Sequence, residues 1–261
     1  MATSGQELRF ARRFSGPPGF ADGGFACGSL AALLGGIAEV TLRRPLPLER
    51  SLWARHDGDH TLVLEDGGTL LAEARQAVVE VEQLAVPGAV TPLLAVPGPV
   101  TPEEARAAAG RSHYYDDPVY PDCFVCGQAR GPGDGLRIFP GPVPGRALWA
   151  APWTPDASVA GADGQVRPEV VWAALDCPSG IAAMEAAALP DDTAALLGTM
   201  TARLGALPRV GDACQLVAWP LRRDDRRLTA GSALLGPGGE VLAAARAVWV
   251  TVPRSRPGPA A

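Results

Sequence analysis

The feature that most constrains the fold is a segment that occurs twice. Residues 67–81, GGTLLAEARQAVVEV, and residues 238–252, GGEVLAAARAVWVTV, align without gaps. The identical pairs are Gly67/Gly238, Gly68/Gly239, Leu71/Leu242, Ala72/Ala243, Ala74/Ala245, Arg75/Arg246, Val79/Val250 and Val81/Val252. Each copy is a two-glycine turn followed by an apolar, strand-like run. A chain that carries this turn and strand near both ends is expected to contain a duplicated unit.

The predicted elements around the two copies follow the same order. In the first unit, a strand at residues 7–16 precedes a glycine-rich loop and the helix FACGSLAALLGG, and four strand-like runs follow. In the second unit, strands at residues 135–141 and 146–155 precede the helix PEVVWAALDCPSGIAAMEAAAL, and four strands follow again. Each unit is therefore predicted to be a strand, a helix and an antiparallel meander, which is an α+β arrangement.

The segment between the units has a different composition. Residues 84–122 are rich in proline and have no long strand or helix periodicity, which predicts a Pro/Gly-rich linker with a helical turn or two at PEEARAAAG. This linker divides the chain into an N-terminal repeat at residues 1–83 and a C-terminal repeat at residues 123–254. Residues 255–261 are predicted to be a disordered tail.

Charge and apolar content exclude several classes of partner. The net charge of −5 supplies no basic face for nucleic acid. No apolar run approaches the roughly 20 residues that span a bilayer, and the first ten residues do not form a signal peptide. The five cysteines, an odd number, suit free thiols in a reducing compartment. We therefore expect a cytoplasmic protein without a membrane partner.

The loop Ala21-Asp22-Gly23-Gly24-Phe25 runs directly into the first helix. Glycines allow close approach of a ligand to the backbone, and first-turn amides point outward at the positive end of the helix dipole. A thioester or enoyl carbonyl placed there would find oxyanion-hole donors. The alternative is that the two glycines only make a turn.

Asp176 stands in the apolar helix of the second unit, beside Trp172 and Cys177. A carboxylate in such a helix is expensive to bury, so it is paired, exposed to solvent or kept for chemistry. Pro178 withholds the amide that would bond to the carbonyl of Ala174, which predicts a kink or break near the acid.

These features together resemble the double-hotdog, type II acyl-CoA thioesterases. The segment GGFACGSLAALLG is similar to that family's glycine pattern, and CFVCG followed by GLRIF resembles the opening of many single-hotdog thioesterases. The resemblance implies a double hotdog, in which two fused antiparallel sheets each wrap around a central helix. It also implies a substrate that is an acyl-CoA or a carrier-bound acyl thioester, and no cofactor.

The resemblance implies one composite site, because each half lacks the part of the site that the other half keeps. The glycine loop of the first half would face Asp176 of the second. The mirror-related site has Ala31 at the acid position and Arg167-Pro168-Glu169 in place of the glycine loop. Asp176 is the implied general base, or less favourably a nucleophile, and Gly24 is an implied oxyanion donor.

Further site residues are carried over from the same resemblance. Thr201, with Thr199 as its alternative, is the counterpart of a family threonine that holds water. Gly23, Phe25 and Trp172 are expected substrate contacts, together with Asp22, which stands where the family usually has His or Asn.

The family's glutamine on the last strand is missing, because Ala247, Val248 and Trp249 occupy that region. This leaves open a second class, a protein that binds an acyl ligand without turnover. A hotdog dehydratase is a third class, but it needs a catalytic histidine beside the acid, and none follows at short spacing.

Cys123 and Cys126 form a CxxC pair without a second pair or an HxxxH. A zinc site normally needs four ligands, and Cys177 or Cys214 could complete the set only through the fold, so no metal is expected. The chain is expected to be a monomeric pseudo-dimer or a homodimer.

Overall fold

The computed structural model describes residues 5–58, 61–77, 83–84, 93–94 and 96–254. In the first half of the chain the elements are β1 (Gln6–Leu8), α1 (Gly23–Leu34), β2 (Ala38–Leu42), β3 (Leu52–His56), β4 (Thr61–Asp66), β5 (Thr69–Gln76), β6 (Gln83–Leu84) and β7 (Leu93–Leu94). In the second half they are α2 (Pro102–Ala109), α3 (His113–Asp116), β8 (Gly141–Pro142), β9 (Trp149–Trp153), α4 (Pro168–Ala186), β10 (Thr193–Leu204), β11 (Cys214–Asp224), β12 (Arg227–Leu235) and β13 (Val241–Pro253).

Eleven of the described strands form one antiparallel sheet in the order β1-β3-β4-β5-β2-β10-β13-β12-β11-β9-β8, and β6 pairs with β7 separately. The two halves meet where β2 pairs with β10, which we call the seam. From the seam outward, β5 is the second strand of one half and β13 is the second strand of the other. The two copies of the repeated segment therefore occupy equivalent places in the sheet.

The turn of the first copy has the geometry that its sequence predicts. Asp66 pairs with Thr69 across a two-residue loop, and Gly67 and Gly68 have φ values of +54° and +81°. Positive φ at both loop positions defines the tight hairpin turn whose twist matches the flanking strands, and glycine adopts it without strain.

The predicted antiparallel meander is wrong about the strand that follows each helix. β3, β4 and β5 are consecutive neighbours, but β2 pairs with β5 and β10 instead of β3. In the second half, β10 likewise pairs with β13 instead of β11. The strand that follows each helix thus lies at the seam, where each covers an edge that would be open in a separate half.

Two predicted strands are absent or shortened. Of the strand predicted at residues 7–16, only residues 7 and 8 belong to a strand, β1. A 3₁₀ turn at Arg12–Phe14 follows. Residues 135–139 form no strand, because Arg137 has a φ of +55°, which interrupts an extended ladder. The amides of Leu136 and Ile138 instead donate to the turn at residues 123–126.

Part of the predicted linker is folded and packs against the sheet. Helix α2 begins with a capping box, in which Thr101 and Glu104 each accept from the other's backbone amide. Its buried Ala105 and Ala108 pack with Val217 and Trp219 on the face of the sheet opposite α1 and α4. The remainder of the linker up to residue 95, apart from β6 and β7, lies outside the described residues, as does the predicted tail.

Helices α1 and α4 cover the other face of the sheet and pack against each other. α1 contacts β2, β4, β5 and β10, and α4 contacts β9 to β13. The main apolar core lies between these helices and the sheet. Among the described residues, no helix combines the length and apolar character that crossing a bilayer requires.

Candidate functional site

The site is built on the N-terminus of α1. Asp22 is the N-cap, and its Oδ1 accepts from the amide of Phe25 at 2.9 Å. Gly23 and Gly24 are the first two residues of the helix, so their amides belong to the first turn, whose donors have no intrahelical acceptor. The predicted glycine loop is therefore the first helical turn itself.

The glycines also set the distance between α1 and α4. A Cβ on Gly24 would lie 2.4 Å from Cβ of Asp176, and a Cβ on Gly28 would lie 2.6 Å from Cα of Glu169. The two glycines are four positions apart, so they lie on one face of α1, against the backbone of α4. Only the absence of a side chain permits this approach.

The structure brings Asp176 to the first turn of α1. Its Oδ2 accepts from the amide of Gly24 at 2.7 Å, although the two residues are 152 positions apart. Asp176 is 2% exposed. Its Oδ1 is buried and has no hydrogen-bond partner among the described residues. The structure thus places Asp176 in contact with Gly24, two of the residues that the resemblance assigns to one site.

Burial controls the electrostatics of this region. Burial, with a smaller contribution from the nearby Cys123 thiolate, raises the pKa of Asp176 to about 8, against the lowering effect of the Gly24 amide. The pKa of Asp22 also lies well above its usual range, first because of burial and then because Asp176 is close. Burial and both carboxylates raise the pKa of the Cys27 thiol. Two carboxyl groups in one apolar interior disfavour each other's charge.

Asp22 does not face an open pocket. It is 2% exposed, and its Oδ2 lies 3.8 Å from Sγ of Cys123 and 3.9 Å from Sγ of Cys177. Cys123 and Cys177 lie 3.6 Å apart, and Cys126 is the third member of this thiol group. Hydrogen bonds from Cys126 and Cys177 hold the pKa of Cys123 well below its usual range. We therefore exclude Asp22 from the substrate contacts.

Phe25 and Trp172, the two aromatic side chains expected to contact the substrate, are packed inside the molecule. Phe25 is 6% exposed and stacks on Phe14 with ring centroids 3.8 Å apart. Trp172 is 3% exposed, and its side chain covers Gly28. Both rings therefore lie in the packed interior in this state.

Thr201 is not part of this cluster. Its hydroxyl donates to Glu39 Oε2 at 3.2 Å across the seam. Its neighbours Met200 and Ala202 point into the main core, so strand alternation directs Thr201 to the other face of the sheet. Thr199 pairs there with Thr41 at 3.2 Å. The prediction that either threonine holds water beside Asp176 is wrong for this geometry.

Three neighbours of the acid were not predicted. The Ser179 hydroxyl donates to the carbonyl of Asp176 at 2.7 Å and accepts from Nε1 of Trp249 at 2.9 Å. Leu197 lies against Gly23. Trp249 occupies the region of the missing glutamine, and Ser179 follows Asp176 by three residues, but nothing in the sequence joins them.

A cavity of about 200 Å³ lies beside the C-terminal half of α4. Its apolar side includes Ile181, Met184 and Leu189, and its polar side includes His113 and Arg254. It does not include Asp176 or Gly24.

Comparison with known proteins supports the fold. No protein-family model matches the sequence, and no curated protein matches it. A proposed thioesterase from Novosphingobium aromaticivorans has a similar structure, with a TM-score of 0.58 over 94% of both chains and 12% identity. A hypothetical thioesterase from Streptococcus pneumoniae, crystallised with coenzyme A, matches 42% of this chain and 86% of its own, with a TM-score of 0.38 and 7% identity.

The match over 94% of the chain extends across both halves of the sheet. At 12% identity the likeness concerns the fold alone. This chain has a hotdog, thioesterase-like fold, as the resemblance in its sequence implied.

Proposed function

We propose that the protein is a double-hotdog hydrolase of an acyl-CoA or carrier-bound acyl thioester, with one composite site between its two halves. The observation that carries this proposal is the 2.7 Å hydrogen bond from the Gly24 amide to Asp176. It unites a first-turn donor from one half with the acid of the other. The halves proposed are residues 1–83 and 123–254.

In the proposed reaction, Asp176 is the general base. Water attacks the thioester carbonyl while the carboxylate accepts its proton, and the C–S bond then breaks to give a carboxylate and a thiol. The amides of Gly23 and Gly24 stabilise the oxyanion. Because Asp176 already accepts from Gly24, the substrate carbonyl must replace the carboxylate at this amide, which leaves the carboxylate available to water.

The equivalent location in the other half supports a single site. The N-cap of α4 is Arg167, whose side chain makes no capping bond, and the next residue, Pro168, has no amide to donate. The position equivalent to Asp176 is Ala31, which is buried. Neither a donor pair nor an acid is therefore present at the mirror-related place.

Access of a thioester requires local movement, because Asp176 is almost fully buried. Leu197 is the side chain to displace, since it lies against Gly23 beside Asp176 Oδ2. Moving one leucine opens a path to both the donor and the acid. We include Phe25 and Trp172 as walls only in such an opened state.

Release of free thiol from a panel of acyl-CoA thioesters tests the proposal. Asp176→Asn is isosteric and retains an acceptor for Gly24, and we expect it to reduce turnover by roughly 10²- to 10⁴-fold, the usual effect of losing a general base. The matched control is Glu65→Gln, which removes a half-buried carboxylate that pairs with Arg55 outside the site. Full turnover by folded Asp176→Asn contradicts the proposal.

Binding of an acyl ligand without turnover is the second candidate. It is favoured by the closed state of the acid, whose one hydrogen-bonding oxygen is already occupied by the Gly24 amide. If no thioester of the panel is cleaved but one raises the melting temperature, binding replaces hydrolysis. The dehydratase class has no comparable support among the described residues, where His113 lines the separate cavity and His56 ends β3.

A further inference from the structure

The fold assembles four metal-ligating side chains from three separate segments. Cys123 and Cys126 come from one turn, Cys177 from α4, and Asp22 from the N-cap of α1. We call these residues the cysteine–aspartate cluster. The three Sγ atoms all lie within 4.8 Å of one another. Cys123, Cys126 and Asp22 are buried, and Cys177 is partly buried.

Three ligand-to-ligand separations in the cluster are close to those of a tetrahedral site. A metal–sulfur bond of about 2.3 Å places two sulfurs of a tetrahedron about 3.8 Å apart, and a metal–oxygen bond of about 2.0 Å places sulfur and oxygen about 3.5 Å apart. The observed Cys123–Cys177 separation is 3.6 Å, and Asp22 Oδ2 lies 3.8 and 3.9 Å from these two sulfurs. These three separations lie within a few tenths of an ångström of the requirement, and the Cys126 sulfur lies within 4.8 Å of the other two sulfurs.

The turn that carries the CxxC pair, residues 123–126, is closed by a backbone hydrogen bond. The pKa of the Cys123 thiol is held well below its usual range first by the Cys126 and Cys177 thiols, and also by the nearby backbone amides of Cys126 and Val125. Gly127 closes the turn by donating to the carbonyl of Cys123 at 2.9 Å, and a Cβ at Gly127 would lie 2.4 Å from that oxygen. Backbone donors to a coordinating atom orient it and stabilise its charged form.

The Asp22 carboxylate gives an independent reason for a cation. It is buried, and its described hydrogen-bond contacts are the Phe25 amide and the two thiols. Without a cation, burial raises the pKa of Asp22 well above its usual range and favours the protonated form, whereas a cation beside Oδ2 would stabilise the ionised carboxylate. Its Oδ2 contacts the two sulfurs, and the carboxylate forms no ion pair with a side chain in the part of the molecule that the structure describes.

We propose that the cysteine–aspartate cluster binds one Zn²⁺ ion, with three thiolates and one carboxylate oxygen as ligands. Thiolates select a borderline-soft cation, and a tetrahedral S₃O set suits zinc. Four protein ligands close the coordination sphere, so the ion is structural and takes no step in the proposed hydrolysis. It joins residues 123–126 to the first turn of α1 and to Cys177, the residue that follows Asp176.

Metal analysis tests this inference without reference to thioester turnover. The full chain is produced in zinc-supplemented medium, purified with a thiol reductant and dialysed against metal-free buffer. We expect one zinc per chain in the wild type and its loss in Cys126→Ser. The matched control, Cys214→Ser, alters a buried thiol on β11 and retains the metal.

Cobalt titration of metal-free wild-type protein covers the case in which Cys126→Ser does not fold. Binding at the cluster gives a thiolate-to-cobalt charge-transfer band and the visible absorption of tetrahedral cobalt, both saturating at one equivalent and reversed by zinc. Failure of the folded wild type to bind either ion, equal loss of zinc in Cys214→Ser, or a Cys123–Cys177 disulfide that persists under reductant overturns the proposal.

Discussion

At the scale of single residues, Asp176 is positioned from two sides. Its carboxylate accepts from α1, and its carbonyl accepts from the hydroxyl of Ser179. The carbonyl of Leu175 accepts from Ser232 on β12 at 2.7 Å. Pro178 lies one turn beyond Ala174 and supplies no amide to it, yet α4 continues to Ala186. Of the predicted kink or break, the break is thus wrong, because α4 is continuous through Pro178. Serine hydroxyls bond to carbonyls in this part of the helix.

Ser179 provides a test at this scale. Ser179→Ala leaves the buried indole N–H of Trp249 without its acceptor, which we expect to lower the free energy of unfolding by about 1–3 kcal/mol. Urea denaturation measures the change. In a Trp249→Phe background the donor is already absent, so the same substitution should cost less. Equal losses in both backgrounds would show that the hydrogen bond does not stabilise the fold.

The sequence identified Asp176 but not the residues that hold it. An acid in an apolar helix is visible as a local conflict between charge and burial. Ser179 and Trp249 are 70 positions apart, and an ordinary serine and tryptophan give no local sign that they will meet.

At the scale of secondary-structure elements, the close approach of α1 and α4 is decisive. Gly24 and Gly28 admit the backbone of α4, and this contact brings the acid to the amide. The glycines are recognisable in the sequence, but their use in helix packing is not, because the partner helix begins at Pro168.

Gly28→Ala tests this packing away from the acid. Alanine normally stabilises a helix interior relative to glycine by about 1 kcal/mol. Here the new Cβ meets Cα of Glu169 at 2.6 Å, so we expect a loss of about 1–3 kcal/mol in the free energy of unfolding.

The control for Gly28 is Gly131→Ala, since a Cβ on Gly131 meets no heavy atom within 4 Å. Thermal and urea denaturation of both variants provide the comparison. A stabilised Gly28→Ala protein would contradict the close helix contact.

Helix α2 gives a second prediction for this scale. Thr101→Ala removes the side-chain acceptor of the capping box, and we expect it to lower the free energy of unfolding by about 1 kcal/mol. Denaturant titration measures the loss. A linker without packing would show no change, so a neutral result would favour the linker predicted from composition over the packed helix.

At the scale of the whole molecule, the seam and the α1–α4 contact join the two halves. β2 pairs with β10 over four residues, and the 123–126 turn also reaches the first half, where Phe124 donates to the carbonyl of Ser15 at 2.7 Å. A separate half would expose its seam strand and one apolar helix face.

We therefore expect the two halves to unfold in one cooperative transition. Trp53 is the tryptophan of the first half, whereas the other five follow residue 148. In a Trp53→Phe variant, fluorescence reports only the second half and circular dichroism reports both. The two urea transitions should coincide. Two separated midpoints would contradict a shared core.

The sequence alone determined the local plan of the molecule. Periodicity and turn chemistry act over short stretches of sequence. Such stretches contain the repeated turn and strand, the two apolar helices, the glycine pattern and the acid in an apolar segment. The tertiary structure decided which strands meet at the seam, the face of the sheet that Thr201 occupies, and the meeting of Asp22 with Cys177. Those outcomes depend on burying sheet edges and helix faces together, a condition that joins residues more than 100 positions apart and is invisible in any one window.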